Sequence, residues 1–423
     1  MRHRIIYLLW ALGLTIGALT GCSTNPVTGK SQLSLINPAQ EIQIGKAQYG
    51  PGQQSQGGRY TLDPDINAYV NQVGQRLAAA SDQPNLPYEF VVLNNSVPNA
   101  WALPGGKIAI NRGLLVLLKD ESQLAAVLGH EIVHAAARHG ASQASQGMLL
   151  QLGTQIVGAA TNSQGYTQLA GLGASAFQAR YGRSQELEAD HYGIDYMVKV
   201  GYDPQGAVEL QQTFVALAAK QGSNSGGLAA LFASHPPSQA RVNANQQKAA
   251  TLPGGKRNKA VFERNIQQMR KDQAAYDTHD KALKAASKEE WKKALLLTNQ
   301  AIKKQPREAR FWLTKGKLNN REKNLKTALK AFNQAVKLDP DYFEGFLYRG
   351  IVSIQQKDYL SAQQDFLASN QRLETQPANY FLGEIARQQN NRDTAINYYR
   401  KANKQGGKLG KAAADRLAKM GAR

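Results

Sequence analysis

Apolar residues recur along this chain with three rhythms, and each predicts a different kind of element. From Ile5 to Leu19 they are nearly continuous, IIYLLWALGLTIGAL, a run short of the roughly 20 residues that span a bilayer. Ile66, Tyr69, Val70, Val73 and Leu77 form one stripe of a helix over Pro64–Ser81. The run ESQLAAVLGHEIVHAAARHG, beginning at Glu121, keeps the same helical spacing and has no internal proline. Two stretches have strand character, YEFVVL from Tyr88 and KIAI from Lys107, with ALPGG between them predicted to turn.

Beyond about residue 277 the pattern repeats. Ala294, Ala328, Ala362 and Ala395 are spaced 34, 34 and 33 residues apart, and Gly316, Gly350 and Gly383 keep the same step, as do Pro306 and Pro340. Phe332, Phe366 and Tyr399 each follow an alanine by four residues. A 34-residue period with small residues where helices cross and an aromatic one turn later is the tetratricopeptide signature. About four helix pairs over residues 277–423 are expected to stack into a superhelix whose concave face takes a peptide or protein partner. The predicted fold class is α+β, mostly α: a helical domain with a small β-sheet, followed by an all-α superhelix.

The helix starting at Glu121 carries His-Glu-x-x-His at His130, Glu131 and His134. Residues four apart are separated by about 40° around a helix, so both imidazoles leave one face and can grip one zinc. Glu131 lies about 100° round from His130, where it flanks a metal-bound water and suits a general base. A hydrolytic zinc needs a third protein ligand, and QELEADHYG offers Glu186, with Asp190 one turn on to hold a zinc histidine by its other ring nitrogen. Glu188 points to the opposite side of that helix and reads as a solvated carboxylate. His139 is about 140° off the metal face and is not a ligand. His3, His191 and His279 have no constellation around them.

These motifs resemble the BepA-type, HtpX-related zinc endopeptidases, gluzincins with His-Glu-x-x-His followed by Glu-x-x-x-Asp. The resemblance covers about residues 24–245 and includes NPVTGKSQLSLI, NAWALPGGKIAINRGLL and SHPPSQAR. It implies a zincin-like domain with one Zn2+ per chain, and an edge strand around Asn99, Ala100 and Trp101 that binds substrate backbone. An ordinary hairpin beneath the helix is the alternative for that stretch. His235, held extended before two prolines, has three open roles: oxyanion stabiliser, removable plug of the zinc, or loop cap. Arg241 would contact substrate or form a structural ion pair. The Gly/Ala/Ser/Gln-rich stretch from Gly140 to Gly182 is expected to form small-residue helices, either a lid over the cleft or a closely packed pair.

The first 22 residues read as an export signal: Arg2, His3 and Arg4, the apolar run, then LTGC ending in Cys22, the only cysteine. That ending resembles the bacterial lipobox, which implies acylation of Cys22, and Ser23 after it is compatible with the outer membrane. The expected division is a signal over residues 1–22, a tether over 23–58, the peptidase domain over 59–250, a linker over 251–276 and the repeats over 277–423. The chain is basic, with 51 Lys+Arg against 31 Asp+Glu. Residues 271–423 hold 30 Lys+Arg against 16 Asp+Glu, net +14, so the repeats are the basic part. An exported lipoprotein does not meet nucleic acid, and anionic headgroups or an acidic partner surface suit the excess better. The reading is a lipid-anchored periplasmic zinc endopeptidase acting on envelope proteins recruited by the repeats; by resemblance these are misassembled clients, outer-membrane barrels especially. The alternative is a chaperone-like assembly factor with a gated or silent protease site.

Overall fold

The computed structural model describes residues 22–148, 181–221 and 229–422. They divide into two compact units, the first holding the chain up to Tyr49 with Pro64–Gln267, the second Gly50–Asp63 with Gln268–Arg423. The expected lid lies mostly in 149–180 and the signal in 1–21, both outside the described residues. Among the described residues no helix is long and apolar enough to cross a membrane.

The first unit opens with a hairpin of β1 (Cys22–Thr24) and β2 (Ser31–Leu33), then helix α1 (Pro38–Ser55). Residues expected to form a tether are therefore folded, and the reason lies in one side chain. Arg138 donates to Glu41 at 2.6 Å, to the Ser34 hydroxyl at 3.1 Å and to the Ile36 carbonyl at 2.6 Å, tying this polar segment to the end of the metal helix. After α2 (Pro64–Ala79) comes a three-stranded sheet of β3 (Glu89–Leu93), β4 (Ala100–Leu103) and β5 (Lys107–Asn111) in the order β3-β5-β4. The ALPGG turn joins β4 to β5, while β3 pairs with β5 in parallel, Val91 opposite Ala109. Tight turns join only antiparallel neighbours, so ALPGG does not join YEFVVL to KIAI, and AWAL, where the resemblance implied an edge strand around Asn99, Ala100 and Trp101, is a strand. Gly105 and Gly106 make that turn at positive φ, 73° and 80°.

Past a short turn of helix, α3 (Arg112–Leu115), helix α4 (Glu121–Ala136) carries the His-Glu-x-x-His motif and is buried at every position. Such a helix is a central strut rather than an amphipathic cover. Asp120 caps it, accepting from the Gln123 amide at 3.0 Å. It crosses α5 (Arg183–Lys199) where two glycines meet: a Cβ on Gly129 would lie 3.0 Å from the Gly193 carbonyl oxygen. That close approach sets the two halves of the metal motif face to face. Helices α6 (Gln205–Gln221), α7 (Ala229–Ser234) and α8 (Gln239–Ala250) follow in the same unit. The expected linker is continuous helix over much of its length, because α9 runs from Lys259 to Ser287.

The second unit contains helices α10 (Trp291–Lys304), α11 (Ala309–Arg321), α12 (Leu325–Leu338), α13 (Phe343–Gln355), α14 (Tyr359–Arg372), α15 (Gln376–Gln388), α16 (Arg392–Asn403) and α17 (Gly407–Lys419). The 34-residue period has a direct cause. A Cβ on Gly316, Gly350 or Gly383 would come within 2.4, 2.9 or 2.7 Å of the rings of Phe332, Phe366 and Tyr399 respectively. Each paired helix thus seats its aromatic on a partner glycine. Gly50–Asp63 belongs to this unit, with the Gln54 amide bracketing the backbone of Asp341 and Phe343 at 2.8 and 3.0 Å.

Candidate metal centre

Four side chains from three segments converge: His130 and His134 from α4, Glu186 from α5, and His235 from the turn after α7. All are buried, and their donor atoms lie within 4.8 Å of one another. His130 Nε2 is 3.0 Å from His134 Nε2 and 3.6 Å from Glu186 Oε2, and His134 Nε2 is 3.4 Å from Glu186 Oε1. His235 Nδ1 is 3.3 Å from His130 Nε2 and 3.1 Å from Glu186 Oε1. Nitrogen and oxygen ligands sit about 2.0–2.1 Å from a tetrahedral zinc and therefore about 3.3 Å from each other. The separations match that figure, and buried imidazole nitrogens pointed at one another have little reason to converge without a cation between them. The residues fit zinc.

Electrostatics support the same chemistry. Burial holds the His134 imidazole well below its ordinary pKa, in the neutral form that ligates metal. Burial pushes the Glu131 carboxyl up, against the pull of His235 and His130. Its Oε2 is buried with no hydrogen-bond partner among the described residues, while Oε1 is 3.5 Å from His235 Nε2. Burial also works against the Glu186 carboxylate, but His235 and His130 outweigh it and keep the group ionised.

Asp190 accepts from His130 Nδ1 at 2.9 Å, which fixes that ring with Nε2 toward the metal group. Arg241 grips Asp190 through Nε and Nη2, each at 2.7 Å, and reaches Glu186 Oε2 at 2.7 Å. Its guanidinium is thus engaged by two carboxylates of the site. His139, not a ligand, contacts His134 Nδ1 at 2.8 Å, and Glu188, expected to be solvated, instead meets His139 Nε2 at 3.1 Å. His139 lies past the end of α4, beyond Arg138 at φ 61°, so an angle counted along that helix does not describe its ring, and for Glu188 angle alone says nothing about what packs there. Tyr181 stacks on His134 with centroids 3.7 Å apart. Sequence reasoning missed it, because a tyrosine five residues before Glu186 carries no spacing signal.

Of the predicted substrate edge, β4 is an outer strand of its sheet. The Asn99 carbonyl accepts from the Asn111 amide at 2.8 Å. Ala100 lines a pocket beside His130 and Glu131, with Leu114, Val127, Ile194, Met197 and Phe214 among its apolar walls. Trp101 is half-buried and sits edge-on to Tyr49. The pocket holds about 40 Å³, room for a few water molecules.

Comparison with known proteins fits this geometry. Residues 64–249 match Peptidase family M48, and residues 309–342 and 376–404 match the tetratricopeptide repeat. The beta-barrel assembly-enhancing protease of Escherichia coli (strain K12) is 29% identical over 243 residues, 54% of this chain and 49% of that protein. The protein of the same name from Yersinia pestis is 29% identical over 248 residues, 55% and 50% of the two chains. The mitochondrial metalloendopeptidase OMA1 of Schizosaccharomyces pombe is 34% identical over 181 residues, 41% and 50%. The chain spans about half the length of these curated relatives. With a buried His/Glu group that could hold a metal gathered around two crossing helices, residues 64–249 form a Peptidase family M48 domain, and the array that follows is built of tetratricopeptide repeats.

Proposed function

We propose that this chain is a zinc endopeptidase of the bacterial envelope, cleaving misfolded or stalled envelope proteins brought to it by its repeats. The observation that carries the proposal is the tetrahedral spacing of His130, His134 and Glu186 beside a buried Glu131 whose Oε2 is unpaired among the described residues. Those three residues would hold the zinc, with Asp190 keeping His130 in its tautomer. Zinc in such a site supplies Lewis acidity, lowering the pKa of a water and polarising a carbonyl. Glu131, its proton affinity raised by burial, accepts the water's proton at the free Oε2 and passes it to the leaving amine. The outer strand β4, with Asn99, Ala100 and Trp101, would receive substrate backbone as an added strand.

His235 stands where a fourth ligand belongs, and this favours the plug among its three roles. That is also the observation behind the second reading, an assembly factor that works mainly through its repeats while the protease stays shut. Arg241 would then hold the site through Asp190 and Glu186 rather than meet substrate. Acylation of Cys22 would fix the protein to the outer membrane on its periplasmic side, a reading carried by the LTGC ending and Ser23, while the names of the two bacterial relatives support a place in beta-barrel assembly. Those names also support outer-membrane barrels as clients.

Metal removal tests the catalytic proposal. Chelation followed by dialysis is expected to abolish casein cleavage, and one equivalent of zinc to restore it. Cleavage that survives complete zinc removal would end the proposal. His235→Ala is expected to raise cleavage several-fold; a fall instead would move His235 to the oxyanion role.

A further inference from the structure

Outside the four converging donors, a line of hydrogen bonds leaves the metal group through His134. His134 faces the group through Nε2, so its proton sits on Nδ1, 2.8 Å from Nδ1 of His139. That nitrogen must accept, which puts the His139 proton on Nε2, 3.1 Å from Glu188 Oε1. The same oxygen accepts from the Asn25 side-chain amide at 2.9 Å. Only one tautomer of each ring satisfies every link. His139 and Asn25 are buried, and Glu188 is largely so.

Asn25 is fixed on its own account. Its side-chain oxygen accepts from the Val27 and Thr28 amides at 2.9 and 3.2 Å, and its backbone exchanges bonds with Lys30 and Gly29. The hairpin that carries it is clamped to the end of the metal helix: Gln32 donates to the Ala137 carbonyl at 3.0 Å, and Arg138 reaches Ser23 at 3.2 Å. Residues more than a hundred positions from the ligands are thus spent on orienting one imidazole.

We infer that the N-terminal hairpin completes the metal centre, with Asn25, Glu188 and His139 acting in series as positioning residues that hold His134 in its ligating tautomer. The inference rests on the zinc site described above. Without Glu188, the His139 ring is free to flip, and His134 loses a fixed acceptor for its Nδ1 proton. Zinc is then bound by a ligand that must first be oriented. Removal of such outer partners from metal-ligating histidines costs about 10–100-fold in affinity.

The test is zinc affinity of the full chain, measured by chelator competition, alongside thermal unfolding of the zinc-free protein. Asn25→Asp keeps the turn's acceptor oxygen and replaces only the amide donor, setting a second carboxylate against Glu188. Glu188→Leu removes the acceptor that fixes His139. Each is expected to weaken zinc binding about tenfold and speed zinc loss, with the double variant little worse than the weaker single one and zinc-free unfolding temperatures unchanged. Variants that bind zinc within twofold of the parent would overturn the inference, as would a lowered unfolding temperature with affinity intact, the signature of a merely structural contact. Should Glu188→Leu fail to fold, Asn25→Asp decides alone. A parent that binds no zinc would instead overturn the metal assignment itself, and the inference with it.

Discussion

Burial decides what each acid in this protein can do. Glu131 and Asp339 are both buried carboxyls pushed upward by desolvation, yet only Glu131 faces a metal group. Asp190 is equally buried but ionised, because the Arg241 ion pair outweighs the cost of burial. Asp339 is raised to about 6 from 3.8, so the folded protein binds its proton more tightly than the unfolded chain does. Its burial therefore costs nothing below about pH 4, and stability is lost as pH rises toward 6, by about 3 kcal/mol at most. Asp339→Asn is expected to raise the unfolding temperature by several degrees at pH 7.5, by less at pH 5 and not at all at pH 3. A pH-independent effect in thermal melts would contradict that cause. His130, Glu131 and His134 were legible in the sequence because a helix converts spacing into direction. Glu188 was not, because its partner Asn25 lies 163 residues away and no local pattern encodes it.

Two glycine contacts do for the helices what the histidines do for the metal. Gly129 and Gly193 let α4 and α5 cross closely, and a Cβ on Gly193 would lie 3.0 Å from the His130 amide nitrogen. Gly193→Ala is expected to cost about 1–3 kcal/mol by overpacking, and because it moves His130 relative to Glu186 it should weaken zinc binding too; calorimetry and zinc titration of the same variant check both. In the array, Phe332 is fully buried against Gly316, and Phe332→Ala is expected to cost about 3–5 kcal/mol, read from denaturant melts. The array's helices were legible because the same glycine and aromatic recur at one interval. The sheet was less so: ALPGG announced a turn, but only the pairing shows that it follows AWAL rather than joining YEFVVL to KIAI. The segment after Cys22 was read as a tether on its polarity, and it folds because Arg138, itself at φ 61°, gathers that polarity into one network.

The chain as a whole joins an M48 domain to a basic repeat array, net +14 over residues 271–423. The proposed function divides the labour accordingly: hydrolysis would fall to the first unit and choice of client to the second, whose charge would favour acidic partner surfaces or anionic headgroups. The most direct measurement is zinc content and casein cleavage of the parent, the His235→Ala variant and its Glu131→Gln derivative, side by side. The account predicts about one zinc per chain in all three, faster cleavage in His235→Ala than in the parent, and at least a hundredfold loss when Glu131→Gln is added. Undiminished cleavage in the Glu131→Gln derivative would contradict the account, because a group other than Glu131 would then be taking the proton.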